Sequence, residues 1–390
     1  MAKIIKKRAH RSVVSKKPAA NSPSTRRRCC QLKTPSVRHA SLTPSEAGEK
    51  ALRFFVIGDW GDPTRNVKRV AATMASRASA LKPEFVITVG DNFYWSGVSS
   101  TRDPQFKTKW KDVFLRHKAL RIPWQVCLGN HDYDGNAQAQ IAFTTCSRNP
   151  RGLWQCPAAN YSFSRSLPGG GTVDFSVLDT VACQYDDINR VWCLRDHVRR
   201  LHDNFFTSKA TWKLVFGHHP MYNKGERHST EGHLLREGCG LEKALVESGA
   251  HAYFSGHEHI FQHHHCQGIG HYGCGASGAA YLGLMGSKRG GCKLPGWLDK
   301  KARAGYVEVA LTATSMQVSF IGADGSTLKT IQQTRDSAVA AVAPAKLGDV
   351  DEAATQAVAA VVSAKLCDCD ESATSQTEVL QPVLSTEGVV

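Results

Sequence analysis

Short apolar runs punctuate the middle of the chain: Leu52–Ile57, Phe85–Val89, Trp124–Leu128, Val173–Leu178, Trp212–Phe216 and Ala252–Ser255. Each is nearly continuous and rich in Val, Ile and Phe, which predicts strands buried on both faces. Segments with helical periodicity separate several of them: Arg65–Leu81, Phe106–His117, Arg190–Phe206 and Leu234–Glu247. Strands alternating with helices predict an α/β layered domain with a largely covered sheet. Tyr306–Leu311 and Ser315–Ile321 predict a hairpin that closes it.

The flanks break this pattern. Twelve Lys and Arg precede the first acid, Glu46, and from Asp336 onward nine acids face only Lys346 and Lys365. The expected organisation is a basic tail (1–49), a globular domain (50–335) and an acidic, low-complexity tail (336–390) with a helix near 351–366. Of the net charge of +15, the first tail supplies +12 and the last −7, so the middle carries +10 of its own. A basic face suits anionic substrates. The first tail reads as a solvated arm, or as a contact for nucleic acid or an acidic membrane.

No stretch approaches the ~20 apolar residues of a membrane span, and Val13-Val14 is too short for a secretory apolar region. The tail partly resembles a transit peptide and partly a nuclear signal, and oligomeric state has no signature here. Two of the thirteen cysteine positions flank a loop as Cys146 and Cys156, and two more as Cys183 and Cys193. Such pairs suit disulfides in an oxidising compartment, where the sequon at Asn160 would also matter. Cys29-Cys30 and Cys367-Asp368-Cys369 lie in the tails and are not expected to bind metal.

Candidate chemistry gathers just after the strands. Gly58-Asp59 follows the first, Gly90-Asp91-Asn92-Phe93-Tyr94 the second and Gly129-Asn130-His131-Asp132 the third. Later come Gly217-His218-His219 and Gly256-His257-Glu258-His259. In open α/β sheets the carboxyl ends of strands are where ligands bind. Two carboxylates, an amide oxygen, three imidazoles and a phenol exceed the needs of one ion. They suit two metals about 3.5–4 Å apart, which can clamp the attacking and leaving oxygens of a phosphoryl displacement. Oxygen donors mixed with imidazole favour Fe, Mn or Zn over a thiolate site.

With these motifs goes a wider likeness. GDNFYWSGV (90–98), IPWQVCLGNHDYDGNAQAQI (122–141), Leu178-Asp179-Thr180 and GHEHIFQ (256–262) resemble the purple acid phosphatases, in particular the short tartrate-resistant type, within the calcineurin-like metallophosphoesterase superfamily. The likeness runs from about Leu52 to Leu328. It implies a four-layer αββα sandwich with a dimetal site at the strand ends. It also implies Asp59, Tyr94 and His259 on a ferric ion; Asn130, His218 and His257 on a divalent Fe, Zn or Mn; and Asp91 bridging. The implied activity is hydrolysis of phosphate monoesters by a metal-bound hydroxide at acid pH, with His131 protonating the leaving oxygen. Members of this subgroup are commonly secreted or lysosomal.

The residue chemistry agrees. Phenolate is a hard anionic donor, so a tyrosine ligand asks for a strongly acidic ion such as Fe(III). His131 follows Asn130 directly, so its side chain should point away from the metal and be available for proton transfer. Asp132 either orients His131 or caps the turn. The stretch Tyr222–His228 resembles the family loop that places a histidine beside the substrate, which makes His228 the second catalytic candidate. His219, His263, His264, His265 and His271 are expected on solvated loops. The competing readings are a phosphodiesterase or protein phosphatase of the same superfamily, and a scaffold or nucleic-acid-binding protein acting through the basic tail.

Overall fold

The computed structural model describes residues 50–181, 188–225, 228, 231–278 and 296–335, with backbone only for 188–193. Both tails, the expected helix at 351–366, Cys29, Cys30, Cys367, Cys369, Cys183 and the side chain of Cys193 lie outside that description.

Among the described residues fourteen strands follow one another: β1 (Leu52–Ile57), β2 (Phe85–Thr88), β3 (Trp124–Gln125), β4 (Trp154–Gln155), β5 (Tyr161–Ser166), β6 (Thr172–Val177), β7 (Trp212–Phe216), β8 (Ala252–Ser255), β9 (Phe261–Cys266), β10 (Ile269–Cys274), β11 (Gly296–Leu298), β12 (Gly305–Leu311), β13 (Ser315–Gly322) and β14 (Thr327–Thr334). They form two mixed seven-stranded sheets, β14-β13-β12-β1-β2-β3-β4 and β11-β9-β10-β8-β7-β6-β5. β1, β2, β3 and β4 run parallel in the first. β6, β7, β8 and β10 run parallel in the second.

Side-chain alternation builds four layers from these sheets. Leu52, Phe54 and Val56 of β1 face inward, where they meet Phe175, Leu214, Phe216 and Phe254 of the other sheet. Phe55 and Ile57 face outward, against Val67, Val70 and Met74 of the helix Arg65–Leu81. On the far side Val215 and Tyr253 pack against Leu194, Val198, Leu201 and Phe205 of the helix Ile188–Thr207. Every central strand is thus covered twice, which is why the runs are continuously apolar rather than alternating.

The helix Arg65–Leu81 has the expected limits, set by a Thr64 side-chain cap and a left-handed Lys82. The predicted helix Leu234–Glu247 is instead two pieces, Leu234–Gly238 and Leu241–Glu247. Gly240 stands between them at φ 69°, a left-handed turn that stops an α-helix. The hairpin Tyr306–Leu311 and Ser315–Ile321 forms, and β14 extends it.

Two expectations fail. Cys146 and Cys156 are free thiols. Cys156 is a core residue whose Sγ lies 3.8 Å from the Ala158 carbonyl oxygen, and burial pushes its pKa up. The histidines expected on solvated loops are mostly inside: His219, His264 and His271 are buried, His263 is half-buried, and only His265 is exposed. His264 and His271 are paired across β9 and β10. A neutral imidazole tolerates burial when its pKa falls, and burial lowers His264 to about 4 and His271 to about 3.

Candidate metal centre

The carboxyl ends of β1, β2, β7 and β8 and the loop after β3 deliver their polar residues to one place. Asp59 (φ 57°), Asp91 (φ 53°) and His257 (φ 66°) all occupy the left-handed region, where a non-glycine residue is strained. Only seven non-glycine residues among those described do so, and three of them meet here. Strain concentrated in this way marks a functional site.

Two groups of side chains converge. In the first, the Tyr94 hydroxyl donates to Asp59 Oδ1 at 3.1 Å and lies 2.9 Å from His259 Nε2. His259 Nε2 is itself 3.3 Å from Asp59 Oδ1. In the second, Asn130 Oδ1 lies 2.9 Å from His218 Nε2 and 3.0 Å from His257 Nδ1. The two imidazole nitrogens are 3.2 Å apart. Asp91 spans both groups, with Oδ1 3.4 Å from His218 Nε2 and a side-chain hydrogen bond to Tyr94.

Partners on the far side of each ring fix the tautomers. His218 Nδ1 is 2.8 Å from the Val89 carbonyl oxygen, so that nitrogen carries the proton. His257 Nε2 is 2.8 Å from Glu231 Oε2, an acceptor, so its proton sits there. With both rings neutral, His218 Nε2, His257 Nδ1 and Asn130 Oδ1 therefore point three lone pairs at one another with no hydrogen between them. A cation resolves that conflict. Two buried carboxylates alongside make the same demand.

Electrostatics follow from this burial. Asp91 is pushed up by burial, against the pull of His218. The Tyr94 phenol is pushed well above its usual value by burial and then by Asp59 and Asp91, so it keeps its proton unless a strong Lewis acid displaces it. Burial drives His257 well below the usual histidine range, with His218 and His228 adding to it, which leaves the neutral form a ligand requires. For His218, burial is outweighed by Asp91 and Asp59, and the net shift is upward.

Close backbone approach makes the convergence possible. A Cβ on Gly129 would stand 2.3 Å from both the nitrogen and Oδ1 of Asp91, and one on Gly256 would stand 2.5 Å from Asp59 Oδ2. Neither position admits a side chain.

His131 sits at the rim. Its backbone N–H donates to Asp91 Oδ1 at 3.0 Å, and its ring lies edge-on to Tyr94 with centroids 4.7 Å apart. Nδ1 donates to the Trp95 carbonyl oxygen at 2.7 Å and is 3.1 Å from Asp134 Oδ2, which leaves Nε2 for proton transfer. Asp132 does not orient this ring. Fully buried, it accepts from the backbone N–H groups of Asn92, Phe93 and Gly129 and from the side chains of Asn92 and Gln140. It is the turn cap, and it ties the Asp91–Tyr94 loop to the Asn130 loop.

His228 approaches from the other side. Its ring is 3.8 Å from that of His257, and its Nδ1 is 2.9 Å from Glu231 Oε1. Glu231 thus links His228 to His257, a role with no advance signal in its sequence neighbourhood. Thr180, which the sequence marks only as part of the Leu178-Asp179-Thr180 likeness, gains a role here: its hydroxyl accepts from the backbone of His218 and His219 and pairs with His219 Nδ1 at 2.9 Å. His219 adjoins the cluster and burial holds it neutral, but its Nδ1 is spent on Thr180.

Known proteins resemble this chain in sequence and in fold. Residues 52–261 match the family model described as calcineurin-like phosphoesterase. The chain is 30% identical over 318 residues to tartrate-resistant acid phosphatase type 5 of Homo sapiens, covering 75% of this chain and 94% of that protein. It is 34% identical over 230 residues to purple acid phosphatase 7 of Arabidopsis thaliana, covering 55% and 66%. Among solved structures it superposes on GAP50, the anchor in the inner membrane complex of Plasmodium, with a TM-score of 0.62 and 20% identity over 73% of this chain and 89% of that one. At that identity the likeness speaks for the fold.

Proposed function

The chain belongs to the calcineurin-like phosphoesterase family, and from that premise we propose that it is an acid phosphatase acting on phosphate monoesters at an Fe(III)-M(II) centre. Asp59, Tyr94 and His259 would hold the ferric ion, Asn130, His218 and His257 the divalent Fe, Zn or Mn, and Asp91 both. The observation that carries this reading is the meeting of three lone pairs from Asn130, His218 and His257 beside the Asp59–Tyr94–His259 group. When bound, such ions supply positive charge for the phosphate oxygens and acidify coordinated water, to a pKa of about 7 on Zn(II).

The chain's own residues do the rest. Val89 and Glu231 hold the two imidazoles in the ligating tautomers. His131, oriented by the Trp95 carbonyl, keeps a proton at Nε2 for the departing ester oxygen. His228 stands over His257 on the substrate side, tied by Glu231 and by Glu258, which accepts from its backbone N–H at 3.3 Å. Tyr94 favours this reading over the diesterase and protein phosphatase branches, because a phenol ligand gains little from a divalent ion.

The test is hydrolysis of a phosphomonoester and a phosphodiester, side by side, between pH 4 and 8, on protein of known metal content. Monoester turnover well above diester turnover is expected. Protein with two metals per chain and no monoester turnover would overturn the proposal.

A further inference from the structure

Two carbonyl oxygens of the loop that carries Tyr94 are held from one helix. Phe106, Trp110 and Phe114 anchor the helix Phe106–Leu115 in the core, where the Phe106 ring meets that of Phe93 at 4.9 Å between centroids. From that fixed base the Lys109 ammonium donates to the carbonyl oxygen of Tyr94, and the side chain of Gln105, one turn earlier, donates to that of Gly97 at 2.6 Å. Asp103 completes the clasp, accepting from the backbone N–H and the hydroxyl of Ser99 at 2.8 and 2.9 Å. On its other side the Tyr94 N–H donates to the Gly61 carbonyl oxygen at 3.1 Å, so both polar groups of the Tyr94 backbone are pinned.

Lys109 is placed unlike its neighbours. Lys107 is exposed and pairs with Asp112 at 2.7 Å, and Lys111 donates to the Arg148 carbonyl oxygen at 2.7 Å. Lys109 is half-buried and turns its charge on the backbone of a candidate ligand. Taking an ammonium out of water costs free energy, and a hydrogen bond from a charged donor, about twice as strong as a neutral one, offsets that cost. The clasp reaches only the Asp59–Tyr94–His259 group. His218 and His257 of the other group are held separately, by the Val89 carbonyl and by Glu231.

We propose that Lys109 is a positioning residue for the Tyr94 phenol: it fixes the backbone from which the phenol reaches Asp59 and His259, so that the ion held there depends on Lys109 and the ion beside it does not. The inference rests on the two-metal reading above and adds a residue that the ligand motifs do not contain. Partners of this kind, one shell out from the ligands, typically change metal affinity about 10- to 100-fold when removed. The next carbonyl along the chain, that of Trp95, accepts from His131 Nδ1, so the same grip extends to the proton donor.

The experiment titrates the full-length protein, loaded with iron and zinc, against EDTA and reads each retained metal by atomic absorption and the visible band per iron. K109M should lower the EDTA concentration that removes half of the iron by about 10- to 100-fold and weaken the purple band per remaining iron, while the zinc midpoint stays at the wild-type value. K109S, polar but too short to reach the carbonyl, should do the same and decides the matter if K109M fails to fold. K107M, on the exposed side of the same helix, should move neither metal. Iron retained as in wild type, iron and zinc lost together, or a K107M that loses iron as K109M does would each overturn the inference while a purple wild type leaves the ferric reading standing. A wild-type protein whose iron gives no purple band overturns the ferric phenolate reading, and this inference with it.

Discussion

Asp132→Ala should damage the protein more than any ligand substitution, although Asp132 touches no substrate. Its carboxylate receives five N–H groups, and four of them, from Asn92, Phe93, Gly129 and the Gln140 side chain, depend on it; the fifth, the Asn92 amide, keeps the Cys127 carbonyl oxygen at 2.8 Å. Leaving a buried donor unsatisfied costs roughly 1–3 kcal/mol, so the four together come to about 8 kcal/mol. Against this stands the cost of burying the carboxylate, which with the neighbouring Asp91 pushes its pKa up to about 6. A rise of that size is worth about 3 kcal/mol at neutral pH, and truncation relieves it. The net loss is about 5 kcal/mol, a large part of a typical domain's stability. Guanidinium unfolding at pH 7 measures it, and metal content should fall as well, because the two loops tied by Asp132 carry Asp91, Tyr94 and Asn130. A loss below about 1 kcal/mol, or a variant that folds normally and loses only turnover, would refute this reasoning and return Asp132 to a role in orienting His131.

Three further outcomes are expected. His131→Ala should cost about 10²–10⁴-fold in kcat on phosphoserine, whose alkoxide needs a proton, and much less on 4-nitrophenyl phosphate; equal losses on both would remove His131 from acid catalysis. Gly256→Ala places a Cβ 2.5 Å from Asp59 Oδ2 and 2.7 Å from the Val89 carbonyl oxygen, so metal content by atomic absorption should drop below one ion per chain while the far-ultraviolet dichroism is kept. Burial holds His264 near pKa 4 and His271 near 3 in the fold, against about 6.5 unfolded. The unfolded chain therefore gains protons first, so stability is full above about pH 6.5 and declines as pH falls, by about 2 kcal/mol per histidine at pH 5. A urea midpoint that stays flat from pH 7.5 to 5 contradicts that.

How far these features can be read from the sequence depends on where burial acts. β1, β7 and β8 stand out because they are covered on both faces, and their Gly-Asp and Gly-His exits mark the strand ends. β14, Thr-Leu-Lys-Thr-Ile-Gln-Gln-Thr, does not stand out, because it is largely exposed and its ladder partner, β13, supplies most of its support. β9 is hidden by three successive histidines, whose burial depends on a sheet formed by residues far along the chain. The ligands are legible since most follow a strand end closely, behind a glycine. Glu231 is not, because what places it is the geometry of His257 Nε2, which no local spacing encodes. Asp132 is visible in the sequence with two equal roles, and only its five donors separate them.

The visible absorption spectrum of the purified protein, taken with its metal content and compared with that of Tyr94→Phe, tests the ferric phenolate centre most directly. Wild type should be purple with two metal ions per chain, and Tyr94→Phe should be colourless with most of its metal retained. A colourless wild type carrying two irons, or a purple Tyr94→Phe, would contradict it.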